Sequence, residues 1–269
     1  MERFASYELG GKAAPVYISE PETSPPLGVV VVVHEVWGLT PFIEYACRRL
    51  AQQGFRVAAP SLYWREEELF STERVRQGLK LVWGLSLRDR YDPAKLGAAL
   101  KRERASKETE KMLKTLYDKR FRARILRDLL LLARRLASQH PALRISAIGF
   151  SMGGRLAMEL AAAFPALASC VTFSGSPVPG PTMWKIHCPT LMLYGSEDKF
   201  MLGELPSFIR DAKPRGELTV KIFPSAGHEF FDHTDEAYRA KASDSAWAEL
   251  FGLLRWTSGS TASHSTLNK

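Results

Sequence analysis

Three residues of this 269-residue chain have the types, order and settings for nucleophilic catalysis: Ser151, Asp198 and His228. Ser151 sits in Gly149-Phe150-Ser151-Met152-Gly153, between a short apolar run (residues 145–150) and a helix-prone run that opens directly after it. A serine at so sharp a strand-to-helix corner takes strained backbone angles that crowd its neighbours. Glycines two residues to either side relieve that crowding. The hydroxyl is pushed out at the strand's carboxyl edge, beside the free N–H groups and positive dipole end of the helix, where a negative transition state is stabilised. The same five residues also suit a tight turn with a capping serine, so the loops GSEDKF, with Asp198, and AGHEFF, with His228, carry the decision. Each of these loops follows a β-prone run. A serine hydroxyl is a weak nucleophile until an imidazole takes its proton, and the imidazole needs a carboxylate to hold its tautomer and its charged form. Glu197 is the alternative acid, although neighbours in an extended loop point apart.

The elements that must carry these loops are legible as alternating strands and helices. Residues 4–9 and 14–18 are β-prone around Gly10-Gly11, a hairpin turn. LGVVVVV (27–33) is apolar on both faces, as a central parallel strand is. A helix is predicted from Pro41 to about Gln53, with Thr40 as its cap, Ile43, Ala46, Cys47 and Leu50 on one face, and Gly54 as its stop. Further strands are predicted at 55–59, 145–150, 169–174, 190–194 and 218–223, and helices at 121–138, 203–212 and 236–256. That rhythm implies a mostly parallel, doubly wound sheet with helices on both faces, whose ligands sit outside the carboxyl ends of the strands. Residues 64–120 interrupt it with charged, helix-prone sequence carrying exposed-looking aromatics (Trp64, Phe70, Trp83, Tyr91, Tyr117), read as an excursion over that edge and a candidate lid. The alternative is a crossover that touches no ligand. Residues 1–256 are expected to form one domain and 257–269, TSGSTASHSTLNK, a disordered tail.

Composition narrows the function classes. The chain is 45% hydrophobic and 25% charged, with a formal charge of +8. No apolar run reaches the roughly 18 residues of a membrane span, and the N-terminus has no signal-like apolar stretch, so a cytoplasmic protein with no membrane partner is expected. Residues 64–124 hold 17 Lys/Arg against 10 Asp/Glu. Interspersed acids and the absence of a regular basic stripe favour a solvated helical face over nucleic-acid binding. Cys47, Cys170 and Cys188 cannot all pair and lack metal-type spacing. His228 and His233 are five apart, where a zinc-binding HExxH needs four, so neither metal nor cofactor is expected.

HEVWGL after the long strand, AAPSLYWR, GFSMGG, YGSED and AGHEF together resemble the dienelactone hydrolase family of α/β hydrolases, over roughly 28–256 apart from the excursion. Spacings of 47 residues from Ser151 to Asp198 and 30 to His228 agree with such a compact hydrolase. The resemblance implies an α/β-hydrolase fold and hydrolysis of a small-molecule ester or lactone. It assigns Glu35 as a buried carboxylate near the resting nucleophile and the backbone N–H groups of Val36 and Met152 as the oxyanion hole. Trp37, Trp64 and Phe230 are candidate pocket residues. Two departures stand out: the family's named enzymes carry cysteine where this chain has Ser151, and their substrate-binding arginine is matched here by Asp232. No carboxylate holds a serine hydroxyl ionised at rest, so Glu35 reads as a positioning group, or as a cap or loop ion pair. Open alternatives are a carboxymethylenebutenolidase acting on dienelactone-type cyclic esters and a non-catalytic binding protein on a hydrolase fold.

Overall fold

The computed structural model describes residues 1–22, 24–213 and 215–259. The hairpin β1 (Glu2–Glu8) and β2 (Ala13–Ser19) turns through Gly10 and Gly11 at φ +63° and +78°, a region glycine enters freely. β3 (Val29–Val33) follows as five buried valines. Helix α1 (Pro41–Gln52) begins with proline and is capped by Thr40, whose hydroxyl accepts the Ile43 N–H; it leads to β4 (Arg56–Pro60). The excursion contains α2 (Thr72–Leu81), α3 (Leu87–Arg90), α4 (Pro93–Arg102) and α5 (Lys107–Leu116), with Ser71, Ser86, Asp92 and Ser106 as N-caps. The long α6 (Lys119–Gln139) returns to β5 (Ile145–Phe150), α7 (Met152–Ala163), β6 (Ser169–Phe173), α8 (Gly180–Met183) and β7 (Thr190–Gly195). Then come α9 (Lys199–Leu202), α10 (Leu205–Asp211), β8 (Leu218–Phe223) and α11 (Ala240–Ser258).

The strands form one sheet in the order β1-β2-β4-β3-β5-β6-β7-β8, parallel from β4 through β8, with β2 antiparallel to both its neighbours. Strand periodicity divides the core. Val29, Val31 and Val33 pack with α6, α7 and the excursion, whereas Val30 and Val32 pack with α1 and with Trp247 and Leu250 of α11. This is the α/β-hydrolase architecture, with β3 and β5 side by side so that the loops leaving them meet.

Several expectations change. The excursion's aromatics are mostly interior: Phe70 and Tyr117 are buried, and Tyr63, Phe70 and Phe121 form a stack at 4.3 and 5.1 Å, leaving Trp83 as the exposed one. Its apolar side chains are continuous with the main core, which their helical spacing alone could not show. The helix predicted at 203–212 is the shorter α10, with Pro206 in its first turn, and a separate short helix, α9, precedes it in the stretch read as a loop. The last helix starts at Ala240, not near Glu236. Asp232 and Asp235, just before the predicted start, close loop turns by accepting the Thr234 and Ala237 N–H groups. Thr257 and Ser258, expected in the tail, are helical; residues 260–269 lie outside the described residues. Among the described residues no helix is long and apolar enough to cross a membrane.

Candidate active site

The corner after β5 places Ser151 at φ 49° and ψ −113°, strained for any residue with a β-carbon. Its flanking glycines are required by contact. A β-carbon on Gly149 would lie 2.0 Å from the Gly153 carbonyl oxygen, and one on Gly153 would lie 2.1 Å from that of Val33. The second contact seats the start of α7 against the end of β3, where HEVWGL begins. The Ser151 Oγ is 2.8 Å from His228 Nε2, and His228 Nδ1 is 2.7 Å from Asp198 Oδ2. In the neutral imidazole, Nδ1–H donates to Asp198 and Nε2 accepts from the serine hydroxyl. Asp198 is buried, and its Oδ1 accepts the Met201 N–H, so the carboxylate is held from both sides. Glu197 is exposed and its backbone N–H is bound to the Ala226 carbonyl, so the alternative acid points away from the imidazole.

Close packing joins the acid and histidine loops. A β-carbon on Gly195 would lie 2.1 Å from the Ala226 carbonyl oxygen, and the Ser225 N–H donates to Ser196 Oγ at 3.0 Å. Ser174, just past β6, donates to the His228 carbonyl at 2.7 Å. Nothing in its sequence neighbours marks this role. Burial works against a charged His228, but the Asp198 hydrogen bond and the nearby charges of Glu229, Asp198 and Asp235 leave its pKa above the ordinary value.

On the other side of the serine, Met152 opens α7, where the N–H has no acceptor within the helix. The Tyr63 hydroxyl donates to the Val36 carbonyl at 2.9 Å and lies 3.9 Å from Met152 Sδ, so the Val36 peptide and the helix start share one neighbour. Fully buried His34 ties the same loop down, with Nδ1 at 2.5 Å from the Glu35 carbonyl and Nε2 accepting the Leu62 N–H at 3.0 Å. Burial lowers its pKa to about 4, so it is neutral and structural.

Glu35 is buried; its Oε1 accepts from the Thr40 hydroxyl at 3.3 Å and its Oε2 has no hydrogen-bond partner among the described residues. It is not the cap of α1, which is Thr40, nor half of a loop ion pair. Burial first, then the charges of Glu229, Asp232 and Asp235, hold its pKa well above the carboxylate range. Sequence reasoning passed over Glu229, whose Oε2 is likewise buried and unpartnered and whose pKa burial also raises. A carboxyl whose folded pKa is raised leaves stability intact below the unfolded value near 4.3 and erodes it as pH rises toward the folded value. The Glu35→Gln protein should therefore gain on the wild type as pH rises, its melting advantage at pH 8 exceeding that at pH 4 by about 3 °C or more. Parallel thermal melts across that range check this, and a constant gap would mean that the carboxyl ionises normally.

Of the pocket candidates, Trp37 is at the site: its indole reaches Glu229, its carbonyl accepts from Thr72 at 3.1 Å, and Arg76 of α2 lies 5.8 Å over its ring. Trp64 is not at the triad. It stacks under Arg65 at 3.9 Å and lines a crevice with Leu9, Pro60 and Leu129, because the chain leaving β4 turns back over α6 there. Phe230 is fully buried among Phe173, Phe223 and Phe231, because the turn after His228 sends both phenylalanines into the core. The excursion also reaches the acid loop through Arg90, whose guanidinium lies 6.0 Å from the Trp83 ring and 5.5 Å from that of Phe200, two residues past Asp198.

Comparison with known proteins bears on what this arrangement is for. The model of the dienelactone hydrolase family matches residues 14–258. A Saccharolobus solfataricus protein provisionally named a carboxymethylenebutenolidase is 31% identical over 95% of this chain and 98% of its own length. A Yersinia pestis protein with the same name is 26% identical over 89% of this chain and 82% of its own. In three dimensions, a structure described as a dienelactone hydrolase, from Klebsiella pneumoniae, superposes with a TM-score of 0.70 at 23% identity, covering 94% of this chain and 98% of that one, and so shares its fold. Because the family match runs from the second strand to the end of the last helix, the chain belongs to the dienelactone hydrolase family and is a hydrolase.

Proposed function

We propose that the protein hydrolyses small carboxylic esters through an acyl-enzyme on Ser151. The observation that carries this is the unbroken hydrogen-bond chain from Ser151 to His228 to Asp198 at a strained corner. As Ser151 Oγ bonds to the ester carbon, its proton passes to His228 Nε2, and Asp198 stabilises the imidazolium. The carbonyl oxygen, now negative, is received by the Val36 and Met152 N–H groups. The intermediate collapses by breaking the bond to the alcohol oxygen, which takes the proton from Nε2. Water then repeats the sequence on the acyl-enzyme and releases the acid. A lactone opens by the same steps, with its alcohol still tethered to the acyl group, which accommodates the activity named for the relatives. The excursion forms a wall of the site through its contacts with Trp37 and Phe200. The buried free thiols Cys47, Cys170 and Cys188 accord with a reducing, cytoplasmic setting.

A panel of p-nitrophenyl esters and lactones, assayed with wild type and Ser151→Ala, tests this reading. Turnover that disappears in the variant supports it. Turnover that survives in full places the chemistry elsewhere, and no turnover of any ester favours a binding protein.

A further inference from the structure

We propose that Ser174 is a positioning residue for the ester reaction, its hydroxyl holding the His228 backbone so that the imidazole reaches both Ser151 and the departing alcohol. The inference rests on the esterase reading and adds a residue to that site. Ser174 is fully buried one residue past β6, and its φ of +48° lies in the left-handed region that a side chain disfavours. Glycine would suit that backbone; what serine adds is the hydroxyl. Its Oγ donates to the His228 carbonyl at 2.7 Å, the one hydrogen bond to that carbonyl among the described residues.

The end of β6 is a common reference for the three loops that meet at the Ser151 corner. The Phe173 carbonyl accepts the Ser151 N–H at 2.7 Å, the Ser174 N–H donates to the Leu193 carbonyl of β7 at 2.8 Å, and the Ser174 hydroxyl takes the histidine loop. β7 in turn runs into the turn that carries Asp198. Neighbouring contacts hold residue 174 in place. A β-carbon on Gly175 would lie 2.9 Å from the Gly154 α-carbon in the first turn of α7, and the Tyr194 hydroxyl donates to the Gly175 carbonyl at 2.7 Å. A strained residue persists where its surroundings over-determine it, as they do here. Asp198 fixes the imidazole at Nδ1, yet a ring bound to one carboxylate can still pivot about that bond. The Ser174 bond pins the histidine at its main chain and so aims Nε2. Misplacing a catalytic group by about 1 Å costs on the order of 100-fold in rate.

Ethyl acetate and p-nitrophenyl acetate form the same acetyl-enzyme and differ in the group that leaves: ethoxide must take a proton from Nε2 as it departs, whereas p-nitrophenoxide leaves without one. In Ser174→Ala, kcat/KM should fall about tenfold for p-nitrophenyl acetate and about 100-fold for ethyl acetate. A smaller folded fraction would scale both rates by one factor, so equal losses, or rates unchanged from wild type, overturn the proposal. Ser174→Gly relieves the strain but also lacks the hydroxyl; it should melt above Ser174→Ala and show the same unequal losses, and activity restored along with stability would sink the idea. Wild-type turnover of either acetate that disappears in Ser151→Ala leaves the esterase reading standing whichever way Ser174 reads out. Should the wild type turn over neither, crystal structures of wild type and Ser174→Ala decide. A Ser151 Oγ to His228 Nε2 separation lengthened past about 3.5 Å in the variant, with Nδ1 still on Asp198, supports the proposal, and an unchanged separation refutes it.

Discussion

Ser151→Ala lowers kcat/KM for a p-nitrophenyl ester on the order of 10⁴-fold or more, because the bond that makes the acyl-enzyme can no longer form and only the oxyanion donors remain to act. A serine-directed phosphonate should label the wild type once, at Ser151, as read by mass spectrometry. The neighbouring serines are otherwise engaged: Ser174 donates to the His228 carbonyl, Ser176 receives Arg155, and Ser196 receives the Ser225 N–H. None of them has the imidazole at 2.8 Å that Ser151 has. Label on another serine, or full activity in a Ser151-labelled enzyme, would assign the chemistry wrongly to this corner.

His228→Ala and Asp198→Asn should each reduce kcat by about 10³-fold or more, while Glu197→Gln stays within about threefold. The contrast follows from placement: Asp198 is buried with both oxygens bound, and Glu197 faces solvent one residue away. As base, His228 must be neutral, so kcat/KM should climb with pH through a midpoint above 6.5, since Asp198 and the surrounding acids outweigh the burial that disfavours its charge. A profile rising below pH 6 would show that the imidazole is not held by those acids, and a Glu197→Gln loss exceeding that of Asp198→Asn would exchange the two roles.

The sheet and the three residues that meet at the Ser151 corner were legible in the sequence because both are written in local signals. β5 and β8 fall at the bounds that apolar runs between turn residues predict, and Ser151, Asp198 and His228 each close such a run. What was not legible depends on side chains that meet across the fold. Phe230 reads as a pocket residue beside His228 until the turn that follows the histidine puts it, with Phe231, against Phe173 in the core. Glu229 carries no local signal, and its burial is set by Glu35 and Trp37 from a loop nearly two hundred residues earlier. The excursion's helices were visible, but its union with the main core rests on Tyr63, Phe70 and Phe121 stacking over a separation no periodicity encodes.

The backbone at Ser151 has a consequence for the history of such chains. Holding a side-chain-bearing residue at φ 49° and ψ −113° costs about 1–3 kcal/mol, while glycine at the same corner would give back only about 0.5–1 kcal/mol in chain entropy. Ser151→Gly should therefore melt above the wild type and above Ser151→Ala, which keeps the strain, and differential scanning calorimetry of the three proteins would register the order. Mutation at this codon thus has a downhill route to a sturdier, inert protein. A chain with no need of turnover would lose no stability by taking that route, so the strain at this corner is offset only where the serine's chemistry is used.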